Sequence, residues 1–347
     1  MKRFLYLLPL LLGACGGSGE PAPSTDHTAD PGEVNVYSHR HYDSDKQLFA
    51  RFTELTGIKV NLLSAGDDDL LSRIEAEGPN TPGDVLITAD AGRLGLAKQR
   101  GLFQNVRSEV LEANIPPFRR DPDGAWFGFS ARARVFAYNK NKVKPADLAT
   151  YDAITASAFK GRVLARTSEH VYNQSLVASM IAHHGREAAL AWCKGVVRNF
   201  AREPKGSDTD QLLAVGEGIG DVAIVNSYYV GKLMNSDDPA KQKAREVIAV
   251  AFPDANGHGT HFNVSGGGVI AHARNRENAI KLLEFLSSDE AQRVFAEGNM
   301  EFPVRAGVPV AATLQAFGPC TPDTLDLSNL SRFNAEAVKV MGEAGWR

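Results

Sequence analysis

Residues 33–101 alternate between short apolar runs and amphipathic stretches. Leu48, Phe52 and Leu55 recur with helical spacing and would share one helix face, and Gly57 follows as a typical helix end. By the same criteria we predict strands over 34–38, 58–64 and 84–88, and helices over 46–56, 68–77 and 91–100. Alternating strands and helices with short connections predict a parallel sheet covered by helices, which makes one α/β lobe.

The alternation resumes later in the chain and predicts a second lobe of similar design. Its predicted strands cover 161–165 and 221–226, and its predicted helices cover 176–183, 186–200 and 209–215. The segments 129–138 and 247–252 read as extended chain, and we expect them to be the two crossings of a hinge between the lobes. Further helices are predicted over 277–286, 289–298 and 335–345.

The first fourteen residues have the pattern of an export signal. Lys2 and Arg3 carry positive charge, and the apolar run over 4–12 is too short to span a bilayer as a mature helix. The run ends in Leu12-Gly13-Ala14-Cys15, small residues before a cysteine.

That ending resembles the lipobox of bacterial lipoproteins, which implies cleavage before Cys15 and acylation of its thiol. An ordinary cleaved signal with a chance cysteine is the alternative. Residues 15–32 are rich in Gly, Pro, Ser and Thr and show no apolar periodicity, so we interpret them as a flexible tether.

The charge and cysteine content narrow the classes of partner. The formal net charge is −3, and loss of Lys2 and Arg3 with the signal lowers it to −5, so the body has no basic footprint for nucleic acid. Cys193 and Cys320 remain in the body. An oxidising compartment would permit a disulfide between them, whereas Cys193 also fits a helix core, and both interpretations stay open.

Familiar catalytic patterns are missing from the sequence. There is no His-Glu-x-x-His motif, and Asn263-Val264-Ser265-Gly266-Gly267 lacks the leading glycine of a nucleophile elbow. We interpret the glycines at 266–268 as positions of close backbone approach. The glycine-rich run 216–220 precedes a predicted strand instead of following one, which indicates a turn and not a nucleotide-binding loop. An enzyme is therefore not predicted.

Tyrosine placement is the most informative chemical signal. Tyr42, Tyr172, Tyr228 and Tyr229 fall where predicted strands pass into helices, and ligands bind at that edge of an open α/β sheet. Neighbours in the first turn of a helix lie roughly 100° apart, so Tyr228 and Tyr229 can converge on one point. For an isolated pair, one buried and one exposed aromatic is the simpler alternative.

The helix starts next to these tyrosines carry polar residues that suit capping. Asn226 or Ser227 can cap the helix of the tyrosine pair, and Asp43 or Ser44 can cap the helix after Tyr42. A helix start also presents free N–H groups and positive potential, which favour a phenolate over a phenol.

Together these segments closely resemble, along nearly the whole body, the ferric-binding proteins of bacterial ABC importers, a transferrin-like branch of the two-lobed periplasmic binding proteins. The matching stretches are Val36-Tyr37-Ser38-His39-Arg40-His41-Tyr42-Asp43, 84–94, 171–179, Asn226-Ser227-Tyr228-Tyr229 and 259–266. The resemblance implies an α/β fold of the type II periplasmic binding protein class, with a mixed sheet covered by helices in each lobe and a two-strand hinge. The implied lobes comprise residues 33–130 plus 253–300 and residues 131–252 plus 301–347.

The resemblance also implies the ligands of the metal. Family tyrosines matching Tyr172, Tyr228 and Tyr229 bind iron from one lobe, and the His-Tyr pair matching His41 and Tyr42 reaches in from the other. The arginine matching Arg132, on a hinge strand, lies beside the metal or its accompanying anion.

Two departures from the family pattern concern that anion. Several relatives carry arginine where Lys232 stands, and the usual Ser-Ser-Asn-Ile before the first tyrosine of the second lobe appears here as Thr167-Ser168-Glu169-His170. Lysine cannot make arginine's planar two-point contact, so whether a synergistic anion such as carbonate is held as in relatives stays open. His41, water or an anion stay open as the group that completes the coordination.

Ferric ion is small, hard and highly charged, and it prefers anionic oxygen such as phenolate. We therefore expect a monomeric, lipid-anchored solute-binding protein, periplasmic or on the cell surface, that passes Fe(III) to an ABC transporter permease. One alternative is the same fold with an organic or oxyanion solute such as phosphonate, polyamine or thiamine. The other is a secreted metal-dependent enzyme, which needs an open coordination position and a nearby general base.

Overall fold

The structure is a computed structural model that describes residues 32–40 and 42–347. The predicted signal peptide, Cys15 and the predicted tether up to residue 31 lie outside the described residues, and so does His41. From Gly32 to Arg347 the chain forms one compact unit.

The predicted strands and helices are present in the predicted order, and the structure adds several short helices and two strands, Phe262–Val269 and Phe302–Pro303, that the sequence pattern did not predict. The strands of the described residues are β1 (Glu33–Ser38), β2 (Lys59–Ser64), β3 (Val85–Thr88), β4 (Phe127–Asn139), β5 (Val163–Leu164), β6 (Val222–Asn226), β7 (Ile248–Ala251), β8 (Phe262–Val269) and β9 (Phe302–Pro303). The α-helices there are α1 (Asp43–Thr56), α2 (Asp67–Glu77), α3 (Ala91–Gln99), α4 (Glu109–Asn114), α5 (Val171–His184), α6 (Arg186–Arg198), α7 (Asp208–Gly216), α8 (Ser227–Met234), α9 (Pro239–Arg245), α10 (Arg276–Leu286), α11 (Asp289–Asn299), α12 (Ala312–Gln315), α13 (Ser328–Arg332) and α14 (Asn334–Ala344).

The strands form a mixed sheet in the order β2-β1-β3-β8-β4-β6-β5, with β7 and β9 also paired to β4. β1 runs parallel to β2 and β3, whereas β8 lies antiparallel between β3 and β4. The parallel pairing predicted for residues 33–101 is confirmed in β1, β2 and β3, and the sheet as a whole is mixed, as the resemblance implies. The antiparallel strand β8 lies far along the chain from β3 and β4, so the alternation of neighbouring elements could not predict its place in the sheet.

β4 is the strand that joins two lobes. It is buried along its whole length of 13 residues. Its first part pairs with β8, and its second part pairs with β6 and β7. We call the elements on the β2-β1-β3-β8 side the first lobe and those on the β6-β5 side the second lobe. The segments predicted to cross the hinge fall on β4 and β7, while the predicted lobe boundaries stay a prediction.

The glycines at the end of β8 allow the close approach that the sequence predicts. A Cβ atom at Gly268 would lie 2.2 Å from the carbonyl oxygen of Ala125, and one at Gly266 would lie 2.3 Å from that of Phe127. Any side chain there would force the backbones of β8 and the start of β4 apart.

The helix caps differ from the prediction at both tyrosine helices. Tyr42 itself is the N-cap of α1 and makes no side-chain cap bond, while Asp43 and Ser44 lie inside the first turn. Asn226 is the N-cap of α8, again without a side-chain cap, because its Oδ1 accepts from the Arg134 guanidinium at 3.2 Å. A charged donor is a stronger partner than a backbone N–H, so it takes the cap's acceptor.

Both body cysteines are free thiols. Cys193 is buried within α6 and Cys320 is half-buried, so the structure contains the helix-core alternative and not the disulfide. Among the described residues, no helix is both long and apolar enough to cross a membrane.

Candidate metal centre

The four candidate tyrosines come from three junctions between a strand and a helix. Tyr42 follows β1 and caps α1, Tyr172 is the second residue of α5 after β5, and Tyr228 and Tyr229 lie in the first turn of α8 directly after β6. The first of these belongs to the first lobe and the other three to the second lobe. The cleft between the lobes therefore receives phenols from both sides.

The phenol oxygens meet around Tyr228. The Tyr42 hydroxyl donates to Tyr228 Oη at 3.2 Å, and Tyr172 Oη lies 3.3 Å from the same oxygen. Two oxygens bound to one small cation at about 2.1 Å are separated by about 3.0 to 3.6 Å for angles of about 90 to 120°. The observed spacing falls in that range, so these oxygens can share one ion with little movement.

The two adjacent tyrosines stack on each other. Their ring centroids are 4.2 Å apart with an interplanar angle of 30°. Tyr228 is 2% exposed, and Tyr229 is partly buried against the core. The pair is thus not one buried and one solvent-exposed aromatic, and both side chains face the same region.

Burial disfavours ionisation of all four phenols in the absence of a cation. It raises the pKa of Tyr42 to about 12, with a further increase from the charge of Glu301. Burial also raises the pKa of Tyr172, Tyr228 and Tyr229, and the neighbouring tyrosines raise the first two further. A cluster of neutral phenols results, and a cation would have to displace their protons.

Arg132 lies on β4 beside Tyr172. Its Cζ is 5.5 Å from the centre of the Tyr172 ring, and its Nη1 donates to Ser265 Oγ at 2.7 Å. Nε and Nη2 of this 1% exposed side chain have no hydrogen-bond partner among the described residues. Buried guanidinium donors without partners are unfavourable, which makes this arginine a candidate to bind an anion.

Lys232, on α8, reaches the tyrosines from the other side. Its Nζ lies 4.2 Å from the centre of the Tyr42 ring and 5.5 Å from that of Tyr228. It donates to Asn299 Oδ1 at 3.0 Å, and burial lowers its pKa. The lysine contacts the phenol rings themselves and is anchored on the first lobe.

Comparison with known proteins assigns the family. Residues 47–317 match the family described as bacterial extracellular solute-binding protein. The chain belongs to this family.

Proteins similar to this solute-binding protein include a relative from Synechocystis and two solved structures. Iron uptake protein A1 of Synechocystis is 50% identical over 337 residues, which cover 97% of this chain and 93% of that protein. The solved Trichodesmium protein IdiA (FutA) in complex with iron and citrate ligands has 49% identity and a TM-score of 0.87, over 91% of this chain and 100% of that one. A ferric binding protein from Campylobacter jejuni has 39% identity and a TM-score of 0.86, over 90% and 100% of the two chains.

Arg40 is a residue of the solute-binding protein that sequence reasoning missed, although it lies in the quoted His-Arg-His-Tyr motif. Its guanidinium bonds Asp45 at 2.9 and 3.0 Å and Glu301 at 3.0 and 3.1 Å. Its Cζ lies 4.9 Å from the centre of the Tyr42 ring. This buried group of one cation and two carboxylates fixes the backbone that leads into Tyr42.

Two further guanidinium groups surround Tyr172 and were not foreseen. The Cζ atoms of Arg134 and Arg166 lie 5.9 and 5.8 Å from the centre of its ring. Arg134 bonds Asp208 at 2.7 Å, and Arg166 lies 3.8 Å from the same carboxylate. Burial raises the pKa of Tyr172 and outweighs the charge of Arg132, which lowers it, so the phenol stays neutral until a cation displaces its proton.

Two histidines near Tyr172, the half-buried His170 and the buried His261, were also missed. His170 Nδ1 accepts from the backbone N–H of Tyr172 at 3.3 Å. Burial, followed by the nearby arginines, lowers the pKa of His170 to about 2 and that of His261 to about 3. Both rings are therefore neutral at physiological pH.

His41 lies outside the described residues, so its predicted role as a metal ligand stays a prediction. In residues 32–40 and 42–347, no group of three or more His, Cys, Asp and Glu side chains is arranged to hold a metal. The tyrosine cluster is therefore the candidate metal centre of the part of the chain that the structure describes.

Proposed function

We propose that this solute-binding protein binds ferric iron in the cleft between its lobes through the phenolates of Tyr42, Tyr172, Tyr228 and Tyr229. The observation that carries the proposal is the contact of phenol oxygens from two lobes at 3.2 and 3.3 Å. The relatives named iron uptake protein A1 and IdiA (FutA) in complex with iron and citrate ligands support the same cargo.

The charges around the cleft suit a trivalent ion. Four phenolates on Fe(III) leave one excess negative charge, which Arg132 beside Tyr172 and Lys232 beside Tyr42 would offset. A hard trivalent ion gains more from four anionic oxygens than a divalent ion does. Charge balance therefore favours ferric over ferrous iron.

His41, water or an anion would complete the coordination. The unpartnered Nε and Nη2 of Arg132 support an anion, with carbonate as the candidate that the family resemblance implies. Lys232 would contribute charge there without a two-point contact, because it is already bonded to Asn299.

Ligands from both lobes couple the ion to closure of the cleft. An ion that bonds Tyr42 and the second-lobe tyrosines together is bound better by the closed form, so it shifts the population toward closure. Closure would be what the permease of an ABC importer recognises. In this proposal the lobes follow the predicted boundaries, 33–130 plus 253–300 and 131–252 plus 301–347.

Export and anchoring complete the proposal. Acylation at Cys15 would hold a monomer at a membrane surface, periplasmic or external, with residues 15–32 as its tether. Its role would be binding and delivery without catalysis.

A single ion fits the site better than an organic solute. The contacts of the Tyr42 and Tyr172 oxygens with that of Tyr228, at 3.2 and 3.3 Å, leave no room between these phenols for an organic solute. Thiamine or a polyamine would have to push the lobes apart and separate the phenols.

Titration of the metal-free mature protein with ferric citrate tests the proposal. We expect a visible phenolate-to-iron charge-transfer band that saturates at one ion per chain. Tyr228→Phe should lose most of the band and at least about a hundredfold in affinity, because losing even an outer-shell partner of a metal costs 10- to 100-fold. Tyr138→Phe, on β4 away from the cluster, is the matched control and should behave as the wild type. An unchanged band in Tyr228→Phe would contradict the ligand assignment.

A further inference from the structure

Each of the two second-lobe helices that carry the tyrosines, α5 and α8, also makes a hydrogen bond across the cleft. Ser175 on α5 donates its Oγ to Asp90 Oδ2 at 2.8 Å, and Asp90 is the N-cap of α3 in the first lobe. Lys232 on α8 donates to Asn299 at the end of α11, which packs against α1 of the first lobe. Each bond joins a second-lobe helix to a first-lobe helix end.

The two donors occupy equivalent positions relative to the tyrosines. Ser175 lies three residues after Tyr172, and Lys232 lies three residues after Tyr229. Residues three apart on a helix lie on the same face, one turn from each other. Fixing either donor therefore fixes the orientation of the tyrosine one turn before it.

Hydrogen bonds within the first lobe orient the Asp90 carboxylate independently of Ser175. The carboxylate is fully buried, its Oδ1 accepts from Gly92 N–H at 2.7 Å, and its Oδ2 accepts from Asn263 Nδ2 at 2.7 Å. Both of these donors belong to the first lobe. A buried carboxylate held in this way presents a rigid acceptor, and a hydrogen bond to a charged group is stronger than one between neutral groups.

Asn299 is held in a similar manner. Its Nδ2 donates to Glu301 Oε2 at 3.3 Å, and Glu301 is bonded to Arg40, two residues before Tyr42. The Lys232 anchor thus connects α8 to the group that fixes the Tyr42 backbone.

We propose that Ser175 and Lys232 are positioning residues, which bond acceptors across the cleft and thereby hold the second-lobe phenols against Tyr42. They would set how long the cleft retains its cation without bonding to it. The proposal rests on the proposed function for the identity of the ion, whereas closure of the cleft can be measured without any metal.

Ser175→Ala tests the first bond, because it removes one hydroxyl and leaves every proposed ligand in place. The matched control is Ser179→Ala, one turn further along α5, where the equally buried hydroxyl donates to the backbone carbonyl of Leu176 at 2.7 Å. Ferric release is followed by the loss of the visible band after mixing with excess chelator. We expect Ser175→Ala to keep the wild-type band position but release iron about tenfold faster, and Ser179→Ala to release at the wild-type rate.

Asn299→Ala tests the second bond and leaves the charge of Lys232 near the phenols. It should also accelerate release with an unchanged band position, and the double variant with Ser175→Ala should multiply the two effects, since the bonds share no partner. A shifted band would show that the residues alter the coordination itself, which would contradict a positioning role.

Small-angle scattering separates this proposal from the proposed function. Metal-free Ser175→Ala should have a larger mean radius of gyration than metal-free Ser179→Ala. Equal radii together with equal release rates overturn the positioning role. A wild-type protein that takes up no ferric ion overturns the proposed function alone, and the metal-free radii then decide between the two serines.

Discussion

Proton displacement offers a quantitative check on how many phenols bind the ion. In the metal-free protein the pKa of Tyr42 is about 12, and burial raises those of Tyr172, Tyr228 and Tyr229 above the ordinary phenol value. All four phenols are therefore protonated between about pH 6 and pH 8. An ion that binds four phenolates must release four protons throughout that range, so acid weakens binding.

The magnitude follows from linkage. One proton displaced changes the binding free energy by about 1.36 kcal/mol per pH unit, so four protons change it by about 5.4 kcal/mol, or about 10⁴-fold in affinity for free Fe(III). Tyr228→Phe removes one proton from the balance. Its affinity should therefore change by only about 10³-fold per pH unit, in addition to being weaker at every pH.

The assay is competition with citrate at several pH values, corrected for the protonation of citrate and the hydrolysis of iron. Tyr138→Phe is the control, because that residue lies outside the cluster and should leave the steeper dependence intact. If Tyr228→Phe and the wild type showed the same dependence on pH, the Tyr228 proton would not be displaced and the reasoning would be refuted.

Three further predictions concern stability and the thiols. Burial lowers the pKa of His261 to about 3 in the folded protein, so below about pH 6.5 the unfolded chain binds a proton that the folded protein does not. The free energy of unfolding should therefore fall with pH, by about 2–3 kcal/mol at about pH 4.5. Urea unfolding of His261→Gln should show a flatter acid dependence than that of the wild type. Gly268→Ala should destabilise the fold by about 1–3 kcal/mol in the same assay, because its Cβ would overlap a carbonyl oxygen, and an unchanged midpoint would contradict that contact. A thiol reagent should detect Cys193 and Cys320 only after denaturation, because burial raises the pKa of both thiols to about 12. A denatured protein without free thiols would reveal a disulfide and contradict this prediction.

Sequence reasoning worked where the physical cause is local. Apolar periodicity predicted α1 to end at Gly57, and that glycine adopts the left-handed conformation at the C-cap of α1. The tyrosines were predicted at the junctions of strands and helices, and the structure brings Tyr42, Tyr172 and Tyr228 into contact there. The helix end and the place of each tyrosine at a junction depend on residues close together in the chain. The meeting of the tyrosines across 56 and 186 positions follows instead from the rule that ligands bind at the carboxyl edge of such sheets.

The missed features depend on contacts between distant residues. Arg40 and Glu301 are separated by 261 positions, and Ser175 and Asp90 by 85. No periodicity or motif connects such residues, because their meeting follows from the sheet order and from closure of the cleft. The failed cap at Asn226 has the same origin, since Arg134 of another strand takes its side-chain oxygen.

Resonance Raman spectroscopy of the ferric-loaded wild-type protein, excited within its visible band, tests the central claim most directly. Phenolate bound to iron should give enhanced tyrosine ring vibrations. Their intensity should fall in Tyr228→Phe, which has one phenolate ligand fewer, and should be unchanged in Tyr138→Phe. A loaded protein that is colourless, or whose band enhances no tyrosine vibration, would show that iron is held by other groups.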